Sequence, residues 1–185
     1  DATKSIVIDP WSSPTAFTGY NGAYEVDFDA QGNTLVYGGT YPWQVVKFNS
    51  TGVQQWMFTC NAFNPSWSYY FGDFAVDPVS GSSYMTEGIN TGIGGQIIKV
   101  NTAGTLVLVF AGNPQLEETW RVVYNACTSR LVIAGGGVTN TNQACFIDTG
   151  LTSGFAAFNV CSTNEIAHDM CFLALDNTNS CFMGT

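Results

Sequence analysis

Residues 29–56 read Asp29-Ala30-Gln31-Gly32-Asn33-Thr34-Leu35-Val36-Tyr37-Gly38-Gly39, then, past a four-residue gap, Gln44-Val45-Val46-Lys47-Phe48-Asn49-Ser50-Thr51-Gly52-Val53-Gln54-Gln55-Trp56. An acidic residue opens a glycine turn, an apolar run follows and stops at Gly-Gly, and two further apolar runs flank Asn49 to Gly52. The order recurs as Val76-Asp77…Tyr84-Met85-Thr86-Glu87-Gly88 and as Tyr124-Asn125…Leu131-Val132-Ile133-Ala134-Gly135-Gly136. A fourth copy opens at Leu175-Asp176 and reaches Phe182-Met183-Gly184-Thr185. The turn residues stand at 29, 77, 125 and 176, so the spacings are 48, 48 and 51. Lys47-Phe48-Asn49, Lys99-Val100-Asn101 and Phe146-Ile147-Asp148 mark a second point of the same repeat. A period of roughly 40–50 residues with four short strands per unit predicts an all-β chain built of β-propeller blades.

Each unit resolves into four strand-type runs, rich in Val, Ile, Phe, Tyr and Thr. In the first they cover Ala23–Asp27, Thr34–Tyr37, Gln44–Phe48 and Val53–Phe58. In the second they lie near 72–77, 83–86, 96–100 and 105–110, and in the third near 119–124, 130–134, 143–147 and 154–158. The expected division is a leading strand and linker over 1–23, blades over 24–58, 59–110 and 111–158, and the start of a truncated fourth over 159–185. About three and a half four-stranded antiparallel blades do not close a ring, which typically needs ~4–8. The chain is therefore expected to be a piece of a longer protein. Lys4 to Asp9 reads as a short strand, either the outer strand of the blade that closes such a ring or a signal-proximal linker strand. Leu116 to Tyr124 offers one helical turn at most, since Val122-Val123-Tyr124 is strand chemistry.

Only 10% of residues are charged and the net charge is −9. The basic residues Lys4, Lys47, Lys99, Arg121 and Arg130 form no cluster, which argues against nucleic acid and anionic membrane surfaces. No apolar run reaches the ~20 residues of a membrane-spanning helix. The six cysteines contain no Cys-x-x-Cys pair, and the lone His168 completes no zinc site of usual spacing. Buried free thiols are one reading of them. Disulfides are the other, with Cys161 and Cys171, which flank a connection between units, the first pair to test.

No catalytic set is legible. Asp29, Asp77, Asn125 and Asp176 stand one per unit, too sparse for a calcium loop, and read as side chains that cap turns. Asn49, Asn101 and Asp148 read the same way. His168-Asp169 lacks a nucleophile elbow, and Glu117-Glu118 are sequence neighbours that need not converge on a glycosidic bond. Gly135-Gly136-Gly137 lacks the helix and lysine of a phosphate loop. No cofactor or metal is implied. Asn49-Ser50-Thr51 matches the N-glycosylation triplet in form. The aromatics Tyr41, Trp43, Trp67, Tyr69 and Tyr70 fall in expected loops on one face, where they would stack on a sugar or anchor a protein partner. Packing between units is the rival use for them.

The combination of apolar-Asp-x-x-x-Gly turns, apolar strands with Gly-Gly and Lys-Phe-Asn-x-x-Gly followed by a Trp or Phe strand resembles the propeller repeats of large secreted proteins. Its Asn/Thr/Gly-rich, lysine-poor style is most similar to the N-terminal propellers of gliding-motility-associated surface proteins of Bacteroidota. The resemblance implies export by the type IX secretion system and an extracellular, cell-surface location. The expected role is a non-catalytic binding or scaffold module, adhesin-like, with protein or carbohydrate at its loop face. The alternatives are a secreted propeller enzyme acting on polysaccharide, and cargo held by a secretion or outer-membrane complex.

Overall fold

The computed structural model describes residues 17–19, 22–63, 72–89, 95–110, 116, 118–136, 142–152, 156–158, 169–172 and 181–184. Among the described residues the chain is all-β, and every strand pairing is antiparallel. Sheet I joins β1 (Ala23–Phe28), β2 (Thr34–Gly38), β3 (Gln44–Phe48) and β4 (Gln54–Thr59) in chain order. Sheet II contains β5 (Phe74–Val76) and β6 (Ser83–Thr86). A two-residue strand β7 (Gly88–Ile89) then leaves it, and β8 (Ile97–Val100) and β9 (Leu106–Phe110) complete it. Sheet III runs β10 (Glu118–Asn125), β11 (Arg130–Gly136), β12 (Ala144–Asp148) and β13 (Ala156–Phe158), with β7 added to the free edge of β10. A hairpin of β14 (Asp169–Phe172) and β15 (Cys181–Gly184) follows. No sheet among the described residues closes on itself. The leading stretch Lys4–Asp9 lies outside them.

Local chemistry explains why the chain turns where it does. Asp29 Oδ1 accepts from the amides of Gln31 and Asn33, at 3.0 and 2.9 Å, and Gly32 sits at φ +76° where a side chain would be strained. Asp77 accepts from Val79 N and Ser80 N, and Asn125 from Cys127 N and Thr128 N. Asn49, Asn101 and Asp148 cap the hairpins between third and fourth strands in the same manner. Asp29, Asp77, Asn125, Asn49, Asn101 and Asp148 are turn formers, and Asp176 lies outside the described residues.

Sheet II has two apolar faces, because successive side chains on a strand point to opposite sides. Phe74, Val76, Met85, Ile98 and Val100 pack against Leu35, Tyr37 and Val45 of sheet I. Their neighbours Ala75, Tyr84 and Ile97 pack instead against Val122, Leu131, Ile133, Cys145 and Ile147 of sheet III. Burying one such side chain fully contributes about 1.5–3 kcal/mol, so these two layers dominate what holds the sheets together.

Polar contacts repeat across the same junctions. Ala30 N donates to Pro78 O at 2.9 Å, joining the first turns of sheets I and II. Trp56 Nε1 donates to Thr102 O at 2.8 Å. One junction further on, Tyr84 Oη and Lys99 Nζ both donate to Thr149 O, at 2.9 and 2.8 Å. Thr102 and Thr149 each follow the capping residue of their own hairpin, so the carbonyl used is the same one in both sheets.

The stretch expected to offer one helical turn is a strand from Glu118 onward. Its N-terminal end is held on both sides: Glu118 and Thr119 pair with Ile89 and Gly88 on one edge and with Gly136 and Gly135 on the other. Two ladders outweigh the modest helix preference of two glutamates.

Candidate functional site: charged side chains shared by three first strands

The first strands lie side by side, β1 against β5, β5 against β10, and β10 against β14. Four residues before each turn residue stand Glu25, Asp73 and Arg121, at spacings of 48 and 48. The structure brings these three equivalent positions together. Arg121 Nη1 lies 3.1 Å from Asp73 Oδ1 and 3.3 Å from Glu25 Oε2. Asp73 Oδ2 accepts from Val122 N at 2.9 Å, and its own backbone amide donates to Thr86 Oγ1 at 2.8 Å. A parallel contact joins sheets I and II, where Asp27 Oδ2 accepts from Val76 N at 2.8 Å. Each carboxylate therefore reaches a backbone amide 49 residues ahead, on the next first strand.

The cluster is graded from floor to mouth. Asp73 is buried at 5% exposure, while about a third of each of the Glu25 and Arg121 side chains faces solvent. Burial pushes the Asp73 carboxyl up to about 6, and Glu25 adds to the rise. Arg121 and the Val122 and Phe74 amides pull the other way without cancelling it. Nearby, Glu118 is buried and accepts from Trp120 Nε1 at 2.6 Å. Chemically the mouth offers one guanidinium flanked by carboxylates, a surface of mixed charge with directional donors and acceptors.

A second ion pair, Lys47 Nζ to Asp29 Oδ2 at 2.9 Å, is buried within sheet I. Burial raises the Asp29 carboxyl, but hydrogen bonds from Asn33 and Lys47 outweigh it and hold the group below its usual value. This pair belongs to the turn and is closed to ligands.

Of the aromatic residues expected to line a binding face, Tyr41 and Trp43 are described, and both pack on the core between sheets I and II. Trp43 is 5% exposed and belongs to the core between sheets I and II, its ring edge-on to Tyr24 with centroids 5.9 Å apart. The inward alternation of β3 extends back from Val45 to Trp43, which is why a residue expected on the loop surface is interior. Tyr41 is half-buried, and its hydroxyl donates to Phe63 O at 3.3 Å. Trp67, Tyr69, Tyr70, Cys161 and His168 lie outside the described residues, and Cys171 is described only as backbone opposite Phe182. Cys60 is a buried free thiol, raised by that burial to about 11, Cys145 is buried, and Cys127 is free and exposed.

Glu25, Asp27, Asp73 and Arg121 were not singled out from the sequence, although their signal was present. Glu25, Asp73 and Arg121 share one repeat position, and a period whose charge changes sign from unit to unit marks partners across a junction.

No family model and no curated protein matches the chain. A crystal structure of a eukaryotic initiation factor is similar to it at 20% identity and a TM-score of 0.44, over 88% of this chain and 37% of that one. A likeness at this level transfers no function.

Proposed function

We propose that the chain forms part of a β-propeller and serves as a non-catalytic binding or scaffold module at the cell surface, taking a protein or carbohydrate partner. The observation that carries the non-catalytic reading is the state of Asp73. Both of its oxygens are engaged, one on Arg121 and one on Val122 N, and the residue is buried. A general acid or base must reach the proton it transfers, and this carboxyl has no free face. The propeller reading is supported by in-order antiparallel sheets whose first strands adjoin and are stapled by Asp27 and Asp73.

An enzyme acting on polysaccharide is the second reading, favoured by two carboxylates converging on Arg121 and by an Asp73 carboxyl titrating near 6. Both readings meet one experiment. Purified protein is passed over immobilised polysaccharides and surface glycoproteins while soluble reducing ends are measured. Retention without release is expected. Release that disappears in Asp73→Asn would overturn the non-catalytic reading. Negative-stain images test the scaffold separately, with blades arranged radially about a central axis as the expected result.

A further inference from the structure

Asn49 spends all but one of its hydrogen-bonding groups inside its own turn. Its backbone amide donates to Val53 O and its carbonyl accepts from Gly52 N, both at 2.9 Å. Its side-chain Oδ1 accepts from Thr51 N, Thr51 Oγ1 and Val53 N, at 3.0, 2.8 and 2.9 Å. Two of those donors are backbone amides, so the atom facing them is the oxygen and the orientation of the side chain is fixed. Nδ2 is left as the group of Asn49 that bonds to nothing. Around it Ser50, Thr51 and Val53 are exposed, and Val53, at 57%, is a bare apolar side chain.

The same residue opens Asn49-Ser50-Thr51, the one Asn-x-Ser/Thr triplet of the chain, since proline disqualifies Asn64-Pro65-Ser66. Whether a glycan is transferred before or after folding, the turn must form with the sugar in place. A hairpin that needed Nδ2 for its own hydrogen bonds could not do so, and this one does not need it. The Asn101 hairpin of sheet II is built the same way, with Ala103 N and Thr105 N each 3.0 Å from Asn101 Oδ1. There Trp56 of the neighbouring sheet packs on the turn, and Thr102 and Ala103 are still exposed. The position in sheet I is therefore open whether or not another sheet lies against it. A Cβ on Gly32 would lie 3.6 Å from Ser50 Cβ, so the β1–β2 and β3–β4 turns share one end of sheet I. Glu25 pairs with Tyr37 toward the opposite end, and a glycan on Asn49 would leave the charged mouth clear.

We propose that Asn49 is an acceptor for N-glycosylation from a lipid-linked sugar diphosphate. Nδ2 forms a bond to the anomeric carbon of the sugar while the bond from that carbon to the diphosphate oxygen breaks. The lipid diphosphate leaves with the electron pair, and one Nδ2 proton passes to a base of the transferring enzyme. Every hydrogen bond of the turn is kept, and the bulky, solvated glycan covers the rim around Val53. The inference rests on the cell-surface reading in one respect, that the chain meets such an enzyme only on an export route.

The 185-residue chain is collected from the medium of eukaryotic cells that secrete it behind a cleavable signal. Peptide-N-glycosidase in heavy-oxygen water converts a glycosylated asparagine to labelled aspartate, and the tryptic peptide that begins at Phe48 is sequenced by mass spectrometry. A digest without the glycosidase subtracts spontaneous deamidation. Label is expected at Asn49 and at no other asparagine. Thr51→Ala should abolish it with the fold intact, because Asn101 forms the same turn with alanine in third place. Adding Ala103→Thr to that variant should move the label to Asn101. A secreted wild type with Asn49 unlabelled overturns the inference, as does label at Asn49 that survives Thr51→Ala. Treating intact source cells with a membrane-impermeant biotinylating reagent tests the location by itself. A chain hidden from the reagent whose Asn49 is labelled on secretion keeps the acceptor and removes the cell-surface reading; an exposed chain with Asn49 unlabelled on secretion does the reverse.

Discussion

At the scale of the residue, two carboxylates set opposite pH dependences. The Asp73 carboxyl titrates near 6 in the folded chain against 3.8 in its absence. The folded state therefore binds more protons between these values, and this group makes the protein more stable as pH falls from about 6 toward 4. Fully developed, the difference is about 3 kcal/mol. Subtracting the urea-derived stability of Asp73→Asn from that of the wild type between pH 7 and 4 should show this rise; a flat difference would mean the buried carboxyl titrates normally. Asp29 has the reverse sign: its folded value is lowered, so its contribution is present above about pH 4 and lost as the pH falls through the folded value. Lys47→Met leaves Asp29 buried without its cation and should cost about 3 kcal/mol, most of it recovered by adding Asp29→Asn. A fully additive double variant would argue against that coupling. The turn role of Asp29 was legible because an Asx cap is satisfied within four residues. The role of Asp73 was not, since its partners lie 48 and 49 residues away.

At the scale of the element, the hairpins do more than reverse the chain. Gly104 holds φ +76° in the β8–β9 turn, and a Cβ there would come within 2.7 Å of the Trp56 ring. Gly104→Ala should therefore cost about 2 kcal/mol through strain and a displaced indole, read as a shift in denaturation midpoint with a blue- or red-shifted Trp56 emission. Trp56→Phe should cost about 1 kcal/mol, the worth of one hydrogen bond to Thr102 O. Equal effects of these substitutions on a protein already lacking Thr102–Trp56 contact would remove the clamp from the account. Most strands were legible within one or two residues, because alternation and turn chemistry are local. The strand β7 was not. Its two residues carry no pattern of their own, and it exists only because β10 offers an open edge. Trp43 takes the packing role that the sequence left open beside binding: Pro42 beside it signals a loop, while the core alternation that buries it belongs to β3.

At the scale of the whole molecule, sheet II is shared by both apolar layers, and this ties the three sheets into one cooperative unit. Ile97 and Ile98 are neighbours in β8, yet one serves the junction with sheet III and the other the junction with sheet I. Ile97→Ala and Ile98→Ala should each destabilise by about 3 kcal/mol. In both variants, hydrogen exchange in β2–β3 and in β11–β12 should speed up together. Acceleration confined to the sheet facing the altered side chain would show that the sheets open independently.

The junctions of β1 with β5 and of β5 with β10 share one plan, an apolar layer stapled by a carboxylate that meets an amide 49 residues on, although Asp27 stands two residues before its turn residue and Asp73 four before its own. A gene encoding such a chain can lengthen by in-frame duplication of a single unit, since the inserted copy brings a front that fits the old rear and a rear that fits the old front. Lineages of this protein would then be expected to differ in unit number more readily than in the chemistry of any one junction.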